Sequence, residues 1–199
     1  KQLGYEVESA KAPMALVDVA VTTNADTLTM SAGTSFSASD ATDNFTFVSI
    51  TDVTGSNSGG VINFTNVPIY EGTYITATYT VDTSDASQRF VLTDSRVDTN
   101  TLTVTIQNSI SDTETTTYTK ATDITQLNSL SAVYYLQEAE NGKFEVYFGD
   151  GVVSKAVADG NIITLKYVVT NKTLANGISS FGAPGTIGTE TAIQVTTQA

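Results

Sequence analysis

Threonine alternates with large apolar residues over segment after segment of this 199-residue chain. Between Thr101 and Ile106 the pattern is strict, with Leu102, Val104 and Ile106 on one side and Thr101, Thr103 and Thr105 on the other. A period of two marks a half-buried strand, because helix faces repeat every 3.6 residues instead. Threonine suits the wet face, being β-branched and polar at once, and the chain holds 35 of them. The same sorting puts Ile75, Ala77, Tyr79 and Val81 inward from Tyr74, Thr76, Thr78 and Thr80, while Phe45 with Phe47 and Ile62 with Phe64 mark two further strands. Helical spacing is confined to Asp123–Ala132, where Ile124, Leu127 and Leu130 recur every three residues, and to a frayed helix end over Lys1–Ala10. The expected fold is therefore all-β: an antiparallel sandwich or open barrel-like meander of about 9 to 12 short strands with little helix. Residues 1–12 read as the remnant of a preceding helical region or a linker, and 13–199 as the β domain, with 13–122 and 123–199 as candidate subdomains. Lacking an initiator Met, the chain reads as a piece of something longer.

Turn dipeptides punctuate residues 133–169 at hairpin spacing. Val133–Glu138 leads into Asn141-Gly142, a pair that tolerates the positive φ of a type I′ turn, and then into Lys143–Phe148 with Phe144, Val146 and Phe148 on one face and Glu145 on the outward one. Gly149-Asp150-Gly151 and Asp159-Gly160-Asn161 bend the chain again before an inward stripe of Ile163, Leu165, Tyr167 and Val169. Loops are expected at Asp52–Gly60, Asp82–Ser87, Ser109–Thr122 and Asn171–Gly188. The third, rich in threonine, fits either an edge strand or a mobile loop; the fourth is long enough that it should either touch something or be disordered.

Absences narrow the chemistry. There is no His and no Cys, which removes imidazole-based hydrolases, redox thiols and the usual zinc sites. The net charge of -12, with no cluster of Lys or Arg, opposes binding to phosphate backbones, so nucleic acid is not an expected partner. No apolar run approaches the ~18 residues of a membrane span, so a membrane is not expected either.

Three constellations deserve weighing. Glu138, Glu140, Glu145 and Asp150 share one meander, and two carboxyl groups ~5 to 9 Å apart would suffice for a glycosidase; no Trp is present to supply a sugar platform. Asp40, Asp43 and Asn44, and again Asp94, Asp98 and Asn100, group oxygen ligands in turns, yet neither group has the spacing of a twelve-residue calcium loop. Sequons at Asn44, Asn63 and Asn171 occur about as often as this composition produces by chance. No catalytic residue, cofactor or metal ligand is assigned.

The meander carries a resemblance. Tyr134 to Glu138, Phe144 to Val152 with Tyr147, Phe148, Gly149, Asp150 and Gly151, then Asp159-Gly160 and Ala175-Asn176-Gly177, resemble the baseplate wedge proteins of T-even-like contractile-tail phages and the wider baseplate J family. Leu3-Gly4-Tyr5, Ala32 to Phe36, Ile69 to Gly72 and Val97 to Leu102 look like further landmarks in the same order. The resemblance implies a middle β domain without enzymatic activity, found in the virion's tail baseplate and assembled in the host cytoplasm. Its partners would be other wedge subunits and copies of itself, joined as a ring around the hub. Phe144, Tyr147, Phe148, Gly149, Asp150, Gly151, Asp159 and Gly160 are the motif positions; Asn171, Asn176, Gly177, Phe181 and Pro184 form the expected assembly loop. An immunoglobulin-like adhesive module and a carboxylate glycosidase are the alternatives.

Overall fold

The computed structural model describes residues 8–198, with Lys172 and Thr173 by backbone only. The expected helical remnant at 1–12 lies mostly outside these residues, and 8–12 carry no helix. Among the described residues fourteen strands form two seven-stranded sheets, more strands than the sequence suggested, and the fold is all-β as expected. The chain divides into two compact units, one of residues 11–74 and 168–198 (the split unit) and one of 8–10 and 75–167 (the meander unit). A division at 122–123 would instead separate two strands that pair with each other.

The split unit is built on β1 (Met14–Thr22), β2 (Thr27–Met30), β3 (Ser35–Ser39), β4 (Asn44–Ser49), β5 (Val53–Ser58), β6 (Val61–Glu71) and β14 (Ile193–Thr197). The order is β14-β1-β6-β4-β3, with β5 joining β6 to β2. Val17, Val19 and Val21 of β1 share one core with Phe36, Phe47, Ile62 and Phe64, the last two being cross-strand neighbours of Val21 and Val19. On β6 the buried positions switch from Ile62 and Phe64 to Val67 and Ile69, which strict alternation forbids. A bulge makes the switch: the register with β1 shifts between Val17 and Val19, Asn66 takes φ 53°, and its N–H donates to the Asp18 carboxylate at 2.8 Å. The segment 52–60, expected as a loop, contains β5. Gly55 there sits so close to its neighbour that a Cβ would meet Ile62 Cγ2 at 2.5 Å, so the residue that resembled loop sequence is a packing requirement.

Glu71, at the end of β6, is fully buried. Its two carboxyl oxygens accept from the Thr170 hydroxyl at 2.7 Å, the Asn171 N–H at 2.9 Å and the Asn171 side-chain amide at 2.7 Å. The segment leaving β6 is thereby tied to the segment that returns at 168, within the split unit.

The meander unit uses β7 (Thr73–Thr80), β8 (Phe90–Val91), β9 (Val97–Gln107), β10 (Thr115–Lys120), β11 (Val133–Glu138), β12 (Phe144–Phe148) and β13 (Ile162–Val169). Their order is β7-β13-β9-β10-β11-β12-β8. The two end strands meet through Tyr79 of β7, whose hydroxyl donates to the Val91 carbonyl at 2.6 Å and whose ring lies edge-on to Phe90 at 5.5 Å, giving a barrel-like closure. The threonine-rich stretch 109–122, left open between edge strand and loop, holds β10, which is interior: antiparallel to β9 and parallel to β11. The helical spacing at 123–132 yields a single 3-10 turn, Ile124–Gln126, capped by Asp123.

Candidate functional site

The motif positions gather on the β11–β12 hairpin and the two bends that follow. Asn141 and Gly142 adopt φ 60° and 68°, and the Lys143 N–H closes the turn on the Glu140 carbonyl at 3.3 Å, the type I′ geometry expected. Phe144 is buried. Phe148 lies edge-on to Tyr118 at 5.5 Å and to Phe90 at 5.8 Å, so it ties β12 to β10 and to the end strand β8. Tyr147 points the other way, 44% exposed, and stacks on Tyr135 at 5.1 Å.

Gly149 permits a close approach, since a Cβ there would meet Ser154 Oγ at 2.0 Å. Asp150 folds the next loop by accepting from the N–H groups of Val152 at 2.9 Å and Val153 at 3.3 Å, which also hold its pKa below the ordinary value. Gly151 and Gly160 supply positive φ for the two bends. Asp159 reaches across to accept from the Thr83 N–H at 3.0 Å. These positions shape a hairpin and its bends.

Glu145 corrects the alternation. Read as outward, it is only 5% exposed, because groups far away in sequence cover it. Arg89 Nε donates to it at 2.5 Å, and Gln137, its cross-strand partner, donates through its amide. Sequence reading missed Arg89, and nothing local to residue 89 signals it. A cleft of about 260 Å³ opens beside the pair, lined by Arg89, Phe90, Glu145, Tyr147, Phe148 and Val157 among others. Of the four meander carboxyls, only Glu145 lines this cleft; Glu138, Glu140 and Asp150 are exposed outside it. A lone carboxylate already bound by a guanidinium does not make an acid and nucleophile pair.

The ion pair has a pH signature. The Arg89 hydrogen bond holds the Glu145 pKa below its ordinary 4.5; burial opposes this and Gln137 assists it. A depressed pKa contributes stability above the unfolded-state value and loses it as pH falls through the folded one. Arg89→Met is therefore expected to lower the melting temperature most near neutral pH, with the gap to wild type closing as Glu145 protonates in both. Melts between about pH 3 and pH 7 check this, and a gap independent of pH would contradict it.

The oxygen-rich turns are internally engaged. Asp40 accepts from the N–H groups of Thr42 and Asp43, both at 2.7 Å, and Asp94 pairs with Arg96 at 2.9 Å. Among the described residues no group of three or more acidic side chains is arranged to hold a metal ion.

The loop 171–188 is folded down on its own unit. Phe181 is buried edge-on to Phe47 at 4.8 Å, Pro184 is buried, and Ala175 and Ile187 join the same core. The Gly182 N–H donates to the Ser37 carbonyl at 2.7 Å, and Asn171 is engaged with Glu71. Asn176 and Gly177 remain exposed, beside Leu174 at 70%.

No curated protein matches the chain. The family described as bacteriophage baseplate wedge protein gp6, third domain, matches residues 76–177, a span that begins with the meander unit and runs ten residues past its end. With just over half its length matched, across the hairpin and bends described above, the chain belongs to the gp6 family of bacteriophage baseplate wedge proteins.

Proposed function

We propose that this structural baseplate protein works without catalysis, by joining other wedge subunits and copies of itself into the ring around the tail hub, after assembly in the host cytoplasm. Membership of the wedge family carries the reading. The chemistry of the chain supports it: the cleft beside Glu145 offers one carboxyl already paired, and the sheets present threonine faces suited to close, uncharged contact. Of the expected assembly positions in the 171–188 loop, Asn176 and Gly177 are available to a partner, together with exposed Leu174, while Phe181 and Pro184 serve the core. The motif residues of the hairpin act by shaping it. Family membership disfavours the adhesive module and the glycosidase. Deleting the coding region from the phage is the test: tail hubs lacking a complete ring are expected by electron microscopy, and normal, infective tails would refute the reading.

A further inference from the structure

Two loops of the meander unit, 121–132 and 149–158, meet where the Lys155 N–H donates to the Ser131 carbonyl at 2.9 Å. The first is pinned at its neck, with the Thr119 N–H donating to the Ala132 carbonyl at 3.1 Å and the Ala121 N–H to the Tyr134 carbonyl at 2.9 Å. Together they expose Leu130 at 82%, Val152 at 74%, Ile124 at 65% and Val153 at 42%. Single exposed aliphatic residues are ordinary, and Ile110 on another loop is one. Four on two loops joined by a hydrogen bond are what a docking surface presents.

Charge selects the occupant. Asp123 directly precedes Ile124, and Asp150 precedes Val152 by two residues. Asp123 accepts from the Thr125 N–H at 2.9 Å and its hydroxyl at 2.7 Å, while Asp150 accepts from the two valine N–H groups, so each carboxylate is fixed beside the apolar side chains. Both carboxyls are held below their ordinary pKa, by the Thr125 hydroxyl first at Asp123 and by the Val152 N–H first at Asp150. Lys155 is the only basic residue on the two loops. A second copy docked through the same patch would set these acids against their equivalents on a chain already at -12, and like charges across an interface are penalised.

We infer that Ile124, Leu130, Val152 and Val153, flanked by Asp123 and Asp150, dock a segment of a different baseplate protein whose apolar side chains are flanked by Lys or Arg. The inference rests on the assembly role proposed above and names the partner's chemistry. Apolar insertion holds the segment, and the two aspartates steer it, so association slows as salt screens them.

The test uses assembled baseplates in which a photo-crosslinking amino acid replaces Val152 or, as the control, Ile110. The Val152 site is expected to link to a peptide of another baseplate protein with Lys or Arg beside apolar residues, and the Ile110 site is not. Leu130→Asp with Val152→Asp is expected to lower incorporation about tenfold, with the isolated chain melting as wild type because both positions are exposed. A link to another copy of this chain, a link to an acidic segment, or no link in baseplates that contain the chain overturns the inference and leaves the assembly reading standing. Baseplates that lack the chain altogether overturn both.

Discussion

Replacing Glu71 with alanine is expected to destabilise the split unit by about 3 kcal/mol, a large share of the stability of an ordinary domain. The argument is one of hydrogen-bond accounting. Glu71 is fully buried and accepts from three donors of Thr170 and Asn171, so truncation removes both acceptor oxygens that serve those donors and opens a cavity in a place water enters poorly. Glu71→Gln separates the two contributions. Its amide oxygen can replace the oxygen that serves Thr170 and the Asn171 N–H, and the Asn171 side-chain amide can turn its own oxygen toward the new NH2 group. The glutamine variant should therefore lose only about 1 kcal/mol. Urea unfolding of the three proteins decides: equal losses for alanine and glutamine would mean that charge, not hydrogen bonding, is what the site needs, and no loss for alanine would mean the network is idle.

What the sequence disclosed depended on whether the cause of a structure lay nearby in the chain. Strands such as β9 announce themselves because inward Leu102, Val104 and Ile106 are spaced by the pleat itself. The Asn141-Gly142 turn is legible for the same local reason, since both residues adopt a φ that few others tolerate. Strand β10 is hard to see because Tyr118 is its only buried side chain; it is a strand by virtue of its neighbours β9 and β11. Strand β5 hides behind Gly55, a residue chosen by the approach of Ile62. Alternation misplaces Glu145 because the groups that bury it include Arg89, 56 residues away. The division into units is illegible in a linear reading because the split unit is made of two stretches separated by the other. The motif positions were found through resemblance, and most of them prove to be turn and core residues. Leu130 and Val152, neither of them among the motif positions singled out in the sequence, come together only once the loops are joined.

Phe181→Ala is the second large effect, and it separates two readings of the 171–188 loop. Were the loop a free docking element, the substitution would spare the isolated chain and harm only assembly. The structure instead buries Phe181 to 8% exposure, edge-on to Phe47, in a core with Phe36, Phe64 and Ile69. Removing a buried phenyl ring loses its transfer energy and leaves a cavity, so the isolated chain should lose about 3 to 4 kcal/mol. A Phe181→Leu variant, which keeps most of the volume, should lose less than half of that. By contrast Asn176→Ala, at an exposed position of the same loop, should stay within about 0.5 kcal/mol of wild type. Denaturant unfolding of the isolated chain checks all three. An unchanged midpoint for Phe181→Ala would move that side chain from the core to the assembly surface. The expected loss instead means that deleting the whole loop tests folding before it tests docking, and that only substitutions at its exposed positions, such as Leu174, Asn176 and Gly177, report on a partner.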